Sequence, residues 1–365
     1  MKINLSDRIS AGVSRVSAYT PGEQPDTSDW IKLNTNEFPY PPSPKVREAV
    51  LAELGGDGAS LRLYPNPESV RLRSAVARYF GVPESCAFAA NGSDDLLNLA
   101  VRAFCDCRKT VATLDPSYSL YPVLAKIQDS ELVKIPFNPD MSIPFEKIFS
   151  CGANIFFFVN PNAPTGLHFG EADVRRLVEG FDGLVLVDEA YAPFAGWSAA
   201  KLVCEYGNLI VSGTSSKGWG LAGMRIGWGL ASPAIVEVLD RVRDSYNLDR
   251  LAQAAGVAAL DDRAYYAEKI ALVLSARAQT EAFFDSLGWR YFKSASNFVL
   301  FTPKDKAGRE GADVAKSLFE YLRSRKILLR YFPKEDSIKM SIRLTIGTKE
   351  QMDAFELAVR DWINL

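Results

Sequence analysis

The chain has 365 residues, and at about 150 residues per domain that length predicts two domains, or one large domain with an appended lobe. Hydrophobic residues make up 47% and charged residues 24%, which excludes a disordered, collagenous or coiled-coil chain. Forty-two Lys and Arg against 44 Asp and Glu give a net charge of −2, so no global field favours nucleic acid or a membrane surface as partner.

The first ten residues, MKINLSDRIS, lack the apolar core of a signal peptide, which makes the cytoplasm the expected location. Residues 1–42, rich in Pro, Gly and Asn, predict an extended arm. Ser43 and Pro44 then open a helix that stops at Gly55. Asn66 as N-cap and Pro67 in the first turn open another, in which Leu72, Ala75, Val76, Tyr79 and Phe80 share a face and Gly81 ends the run. Apolar stretches at 86–90, 110–114, 155–160, 184–188, 208–212 and 225–230 alternate with amphipathic ones, the pattern of a parallel sheet flanked by helices. The longest apolar runs, such as 155–159, are five residues, against the ~20 of a membrane span.

From residue 251 the pattern becomes a long helical region to 287, then short strands at 297–301, 326–330 and 340–346 between helices at 312–323 and 349–362. The predicted fold is therefore α/β: an arm over 1–42, a large domain over 43–250 with a mostly parallel sheet, and a smaller α/β lobe over 251–365.

Five cysteines, at 86, 105, 107, 151 and 204, are odd in number and too sparse for a disulfide scaffold. Cys105 and Cys107 lack the second pair that a structural zinc site needs, and no metal is expected. The single histidine, His168, would have to serve any Ser-His or Cys-His mechanism alone. The chemistry must then rest on Lys, Asp, Tyr and Arg, or on a cofactor.

Gly218-Trp219-Gly220-Leu221-Ala222-Gly223 matches a dinucleotide fingerprint, but Gly213 to Lys217 separate its first glycine from the preceding strand, where a true fingerprint begins. The stretch makes better sense centred on Lys217. Its amine, beside Ser216 and ahead of Arg225, joins a Schiff-base former to groups that hold a phosphate, a combination suited to pyridoxal phosphate. Such a cofactor needs a carboxylate at its pyridine nitrogen, and Asp188 ends a buried-looking strand where α/β sheets place ligands. Tyr191, three residues on, is placed to reach the ring's phenolic oxygen. Asn91-Gly92-Ser93-Asp94 opens a helix after a strand, a setting for an anion, and Tyr118 is an aromatic positioned to stack on a ring.

With these residues in place the sequence resembles the fold-type I pyridoxal-phosphate aminotransferases along essentially its whole length. Ser216-Lys217-x5-Gly223-x-Arg225-x-Gly227 resembles their cofactor-attachment signature, and Asp188-Glu189-Ala190-Tyr191 their ring-binding motif, 29 residues upstream of the lysine. The resemblance implies Lys217 as attachment lysine, Asp188 on the pyridine nitrogen, Tyr191 on the phenolic oxygen and Tyr118 on the ring face. Ser93, Ser216 and Arg225, with Gly92 and Asp94 beside them, would hold the phosphate.

Lys32-Leu33-Asn34-Thr35-Asn36-Glu37, Tyr64-Pro65, Ile327-Leu328-Leu329-Arg330 and Ile342-Arg343-Leu344-Thr345 resemble the histidinol-phosphate branch of that family. This implies L-histidinol phosphate as amino donor and a 2-oxo acid as acceptor, with Arg343, Arg330, Tyr19 and Asn36 on the substrate. It also implies a homodimer in which Tyr64 reaches the neighbouring subunit's cofactor phosphate. Aromatic amino-acid transamination, or decarboxylation of a phosphorylated amino acid, remain alternatives on the same scaffold, and a non-catalytic binding protein is a further one. One departure stands out: the family places Asn before Pro-Thr-Gly, and this chain has Ala163 there. Either Tyr191 holds the phenolic oxygen alone, or Asn162 or a water substitutes.

Overall fold

Apolar runs buried on both faces pack most economically as a parallel sheet between two helical layers, and the central strands of this chain are of that kind. The computed structural model describes residues 5–16, 22–27 and 29–365. Its first eight strands are β1 (Ile31–Lys32), β2 (Ala87–Ala90), β3 (Val111–Asp115), β4 (Leu132–Pro136), β5 (Ile155–Val159), β6 (Leu184–Asp188), β7 (Leu209–Thr214) and β8 (Gly227–Ala231). The remaining five are β9 (Arg290–Tyr291), β10 (Phe298–Thr302), β11 (Ile327–Leu328), β12 (Arg330–Tyr331) and β13 (Ile342–Thr345). Seven of them form one sheet in the order β2-β8-β7-β6-β5-β3-β4, in which β8 alone runs against its neighbours. Every residue of β5 and all but the first of β6 are buried, as the unbroken apolar patterns require.

A second sheet, β12-β13-β10-β9, is antiparallel, and the arm strand β1 pairs in parallel with β11. The arm is thus stitched to the C-terminal part of the chain. Among the described residues no helix is long and apolar enough to cross a membrane.

Three local expectations are corrected, and one strand has no counterpart in the sequence pattern: β4 lies at a sheet edge, where burial is partial and Lys134 interrupts the apolar run. The region 251–287 is two helices, Arg250–Asp261 and Arg263–Ser286, broken at Asp262. The stretch 326–330 splits between two sheets on either side of Leu329. The helix predicted from Asn66 begins only at Val70: Asn66 Oδ1 accepts from the Glu68 and Val70 amides, and Ser69 takes a left-handed φ of 51° before the helix starts.

Candidate active site

The carboxyl ends of β2, β3, β5, β6 and β7 all open on one edge of the central sheet, and the reversed strand β8 begins there. Loops leaving these ends meet the arm and the C-terminal sheet around a cavity of about 500 Å³.

Asp188, the last residue of β6, forms its floor and is 2% exposed. Its carboxylate accepts from Tyr121 Oη at 2.9 Å, Ser212 Oγ at 3.0 Å and the Ala190 amide at 3.2 Å. Burial outweighs these bonds and pushes the carboxyl up to about 6. Among the described residues no lysine or arginine pairs with it, so this carboxylate is in want of a cation. Tyr121 and Ser212 were not singled out from the sequence. Tyr121 reads as an ordinary apolar-helix residue, whereas Ser212, a hydroxyl inside a buried strand, was a signal that could have been used.

Lys217 sits in the short helix Ser215–Gly218, directly after β7, and Thr214 Oγ1 accepts from the Ser216 amide to start that turn. Its Nζ donates to the Thr35 carbonyl at 2.9 Å. Burial, reinforced by the Arg343 guanidinium, pulls the amine down to about 8, against the opposing pull of Glu37 and Asp94. About a tenth of it is therefore neutral and nucleophilic at pH 7, far more than for an exposed lysine.

On one side of Lys217 lies an anion cradle. The helix Ser93–Phe104 starts without a side-chain cap, which leaves its first amides for a ligand. Arg225, at a left-handed φ of 51°, directs Nη1 to Ser216 Oγ at 3.4 Å and Nη2 toward Asp94 Oδ2 at 3.6 Å. Gly92 is what allows this approach: its φ is +84°, and a Cβ there would stand 2.7 Å from Arg225 Nη2. Gly92→Ala should raise the dissociation constant for pyridoxal phosphate by about 10- to 100-fold, from strain of roughly 1–3 kcal/mol. Titration of the protein by its visible absorption checks this, and an unchanged constant would remove Gly92 from the cradle.

Tyr191 and Tyr118 both line the cavity. Tyr118 Oη donates to Asp94 Oδ1 at 3.2 Å, and its ring meets Tyr121 edge-on. Asn162 does not line it, and its candidacy as substitute donor is corrected: Nδ2 donates to the Pro116 carbonyl at 3.2 Å, while Oδ1 accepts from Thr165 Oγ1 at 2.7 Å. Ala163 and Pro164 are the residues of this loop that reach the cavity wall.

On the other side, Arg330 and Arg343 are direct cross-strand partners between β12 and β13, and both line the cavity. The Phe332 ring lies within 5.7 Å of the Arg330 guanidinium carbon and 5.5 Å of that of Arg343. Arg343 Nη2 donates to the Asn34 carbonyl at 3.0 Å, so three consecutive arm residues, Asn34 and Thr35 through their carbonyls and Asn36 through its side-chain amide, each touch a different part of the site. Tyr64 is 76% exposed, stacked on Tyr246, and absent from the cavity wall of its own chain. Tyr19 lies outside the described residues.

The profile of the aminotransferases of class I and II matches residues 28–356. The chain belongs to this family. It is 42% identical to a histidinol-phosphate aminotransferase of Geobacter sulfurreducens, over 96% of this chain and 98% of the relative. With a histidinol-phosphate aminotransferase of Rippkaea orientalis it shares 40% identity, over 96% of this chain and 97% of the relative. A histidinol-phosphate aminotransferase from Sinorhizobium meliloti, solved in complex with pyridoxal-5'-phosphate, superposes with a TM-score of 0.82 at 25% identity, covering 92% of this chain and 91% of that one.

This aminotransferase is of the pyridoxal-phosphate-dependent kind, and its residues fit the cofactor on their own evidence. A buried carboxylate lacks a cation, a buried amine binds its proton less tightly than an exposed lysine does, and a glycine clears the space beside an arginine at an uncapped helix start.

Proposed function

We propose that this aminotransferase moves the amino group of L-histidinol phosphate to 2-oxoglutarate, giving imidazole acetol phosphate and glutamate. The observation that favours this donor is the Arg330 and Arg343 pair. Two guanidiniums placed opposite each other on neighbouring strands repel, and a dianionic phosphate between them converts that repulsion into attraction. The curated relatives named above carry the same donor in their names.

Pyridoxal phosphate, when bound, supplies a carbonyl for the amino group and an electron-withdrawing ring for charge at the donor's α-carbon. Asp188 would hold the ring nitrogen in its cationic form, and Tyr191 would donate to the phenolic oxygen. Ser93, Ser216 and Arg225, at the mouth formed by Gly92 and Asp94, would hold the phosphate, with Tyr118 against the ring. Lys217 Nζ would attach the cofactor, then take the α-proton of the donor and return it on the cofactor side, first base and then acid. Its depressed affinity for protons suits both halves of that task.

The test is donor selectivity. Arg330→Ala should raise KM for histidinol phosphate by about 10- to 150-fold, the worth of a charged hydrogen bond of roughly 1.5–3 kcal/mol, and that for glutamate far less. Equal losses, or faster turnover of phenylalanine than of histidinol phosphate in the parent, would overturn the donor assignment.

A cytoplasmic homodimer completes the reading. Leu61, Leu63 and Tyr64 are each more than half exposed and lie close together in the chain, an apolar stretch that a second copy would cover. Sedimentation should give a dimer, and Tyr64→Ala should weaken cofactor binding although Tyr64 lies outside its own chain's cavity.

A further inference from the structure

Position 163 is alanine and the Asn162 amide is engaged elsewhere, so the Pro-Thr-Gly loop offers no side-chain amide to the cavity. An amide arrives from the arm instead. Asn36 is 2% exposed, and its Nδ2 donates to Tyr191 Oη at 2.8 Å. Its Oδ1 accepts from Thr345 Oγ1 at 3.1 Å, and its backbone amide donates to the same hydroxyl oxygen at 3.0 Å. Its carbonyl accepts from Asn297 Nδ2 at 3.0 Å. The residue is fixed at four points and sits at a φ of 56°, a left-handed conformation that Asn tolerates better than most side chains. Held this way the carboxamide cannot turn, and a phenol oxygen that accepts from it has its own hydrogen directed away from Asn36.

We propose that Asn36 is a positioning residue acting through Tyr191: its amide orients and polarises the Tyr191 hydroxyl as donor to the phenolic oxygen of pyridoxal phosphate, a role that Ala163 cannot fill. The inference rests on the pyridoxal-phosphate reading of the site and is independent of the amino donor. It also accounts for an asparagine buried between an arm and two sheets, where a hydrophobic residue would otherwise pack more cheaply.

Charged and titratable groups face the same space from every side: Glu37 on the arm, Lys217 after β7, Arg225 before β8, Asp94 after β2, Tyr118 after β3, Arg330 on β12, Arg343 on β13, and Asp188 with Tyr121 below. A neutral change at Asn36 leaves all of them in place, so its effect reports the hydrogen bond.

The experiment is a double-mutant cycle on the holoprotein, read from the pH midpoint of its visible absorption rather than from turnover. Asn36→Gly keeps the left-handed backbone and deletes the amide. Thr345→Val leaves Asn36 in place but removes the hydroxyl that orients it, and serves if the glycine variant fails to fold. Asn36→Gly should raise the midpoint by roughly one unit, Thr345→Val by less in the same direction, and neither should move it further in a Tyr191→Phe background. Ala163→Asn added to Asn36→Gly should bring the midpoint back down. Midpoints within about 0.2 unit of the parent in both single variants, or an Asn36→Gly shift that persists in Tyr191→Phe, would overturn the inference. A parent without pH-dependent visible absorption would bring down the cofactor reading as well, which separates the two failures.

Discussion

Replacing Lys217 by alanine is expected to reduce turnover by at least ~10⁴-fold, because on the proposed reading one side chain would serve both as the cofactor's attachment point and as the proton carrier. The loss is not one of folding. The Lys217 amine binds its proton less tightly in the folded chain than in the unfolded one, about 8 against the usual 10.5, so at neutral pH its burial costs stability. The cofactor-free Lys217→Ala protein should therefore melt no lower than the parent at pH 7. Borohydride reduction of the parent should leave the cofactor's mass on the peptide that contains Lys217. Label on any other lysine would sink the assignment.

Asp188→Asn should separate stability from function in the same sense, with the opposite dependence on pH. The folded carboxyl titrates near 6 and the unfolded one near 3.8, so the unfolded chain gives up its proton first as pH rises. The cost of burying this carboxylate is absent below the lower value and complete above the higher one, where it amounts to about 3 kcal/mol. Without cofactor, Asp188→Asn should then be more stable than the parent at pH 8 and nearly equal to it at pH 4. Turnover should fall about 10²- to 10³-fold, since a neutral amide cannot pair with a cationic ring nitrogen in a buried site. Melting curves of the cofactor-free proteins at the two pH values, with steady-state rates, check both halves. Equal destabilisation at both pH values would mean that Asp188 is a structural acceptor for Tyr121 and Ser212 and nothing more.

The parts of this molecule that were legible in its sequence are those decided by short-range chemistry. Leu184 to Val187 are apolar without interruption because β6 is covered on both faces, and the acid that follows them is conspicuous for that reason. The Ser216-Lys217 turn and the glycine ahead of Ser93 announce themselves similarly, through residue types that local geometry demands. What could not be read depends on partners remote in the chain. Leu329 divides one apolar run into two strands because the arm claims its first half and β13 its second. β4, at a sheet edge, has no need of a continuous apolar pattern. Asn36, which the resemblance put on the substrate, shows its contact with Tyr191 only once Tyr191 and Thr345 are brought to it. Asn162 misled in the opposite direction, since its amide is the brace of its own loop.

The arm's attachment also bears on when the protein becomes active during its synthesis. Asn34 and Asn36 close contacts with Arg343 and Thr345 across 309 residues of chain, and Thr35 meets Lys217 across 182. Closing loops of that length is entropically slow, and it cannot begin before the distant partner has left the ribosome. The central sheet, complete by Ala231, can assemble while the rest is still being made. Lys217 thus stands beside an assembled sheet well before the arm closes over it, and completion of the cavity waits for Arg343 and Thr345 to emerge. A nascent or C-terminally truncated chain is in this way kept from exposing a finished site.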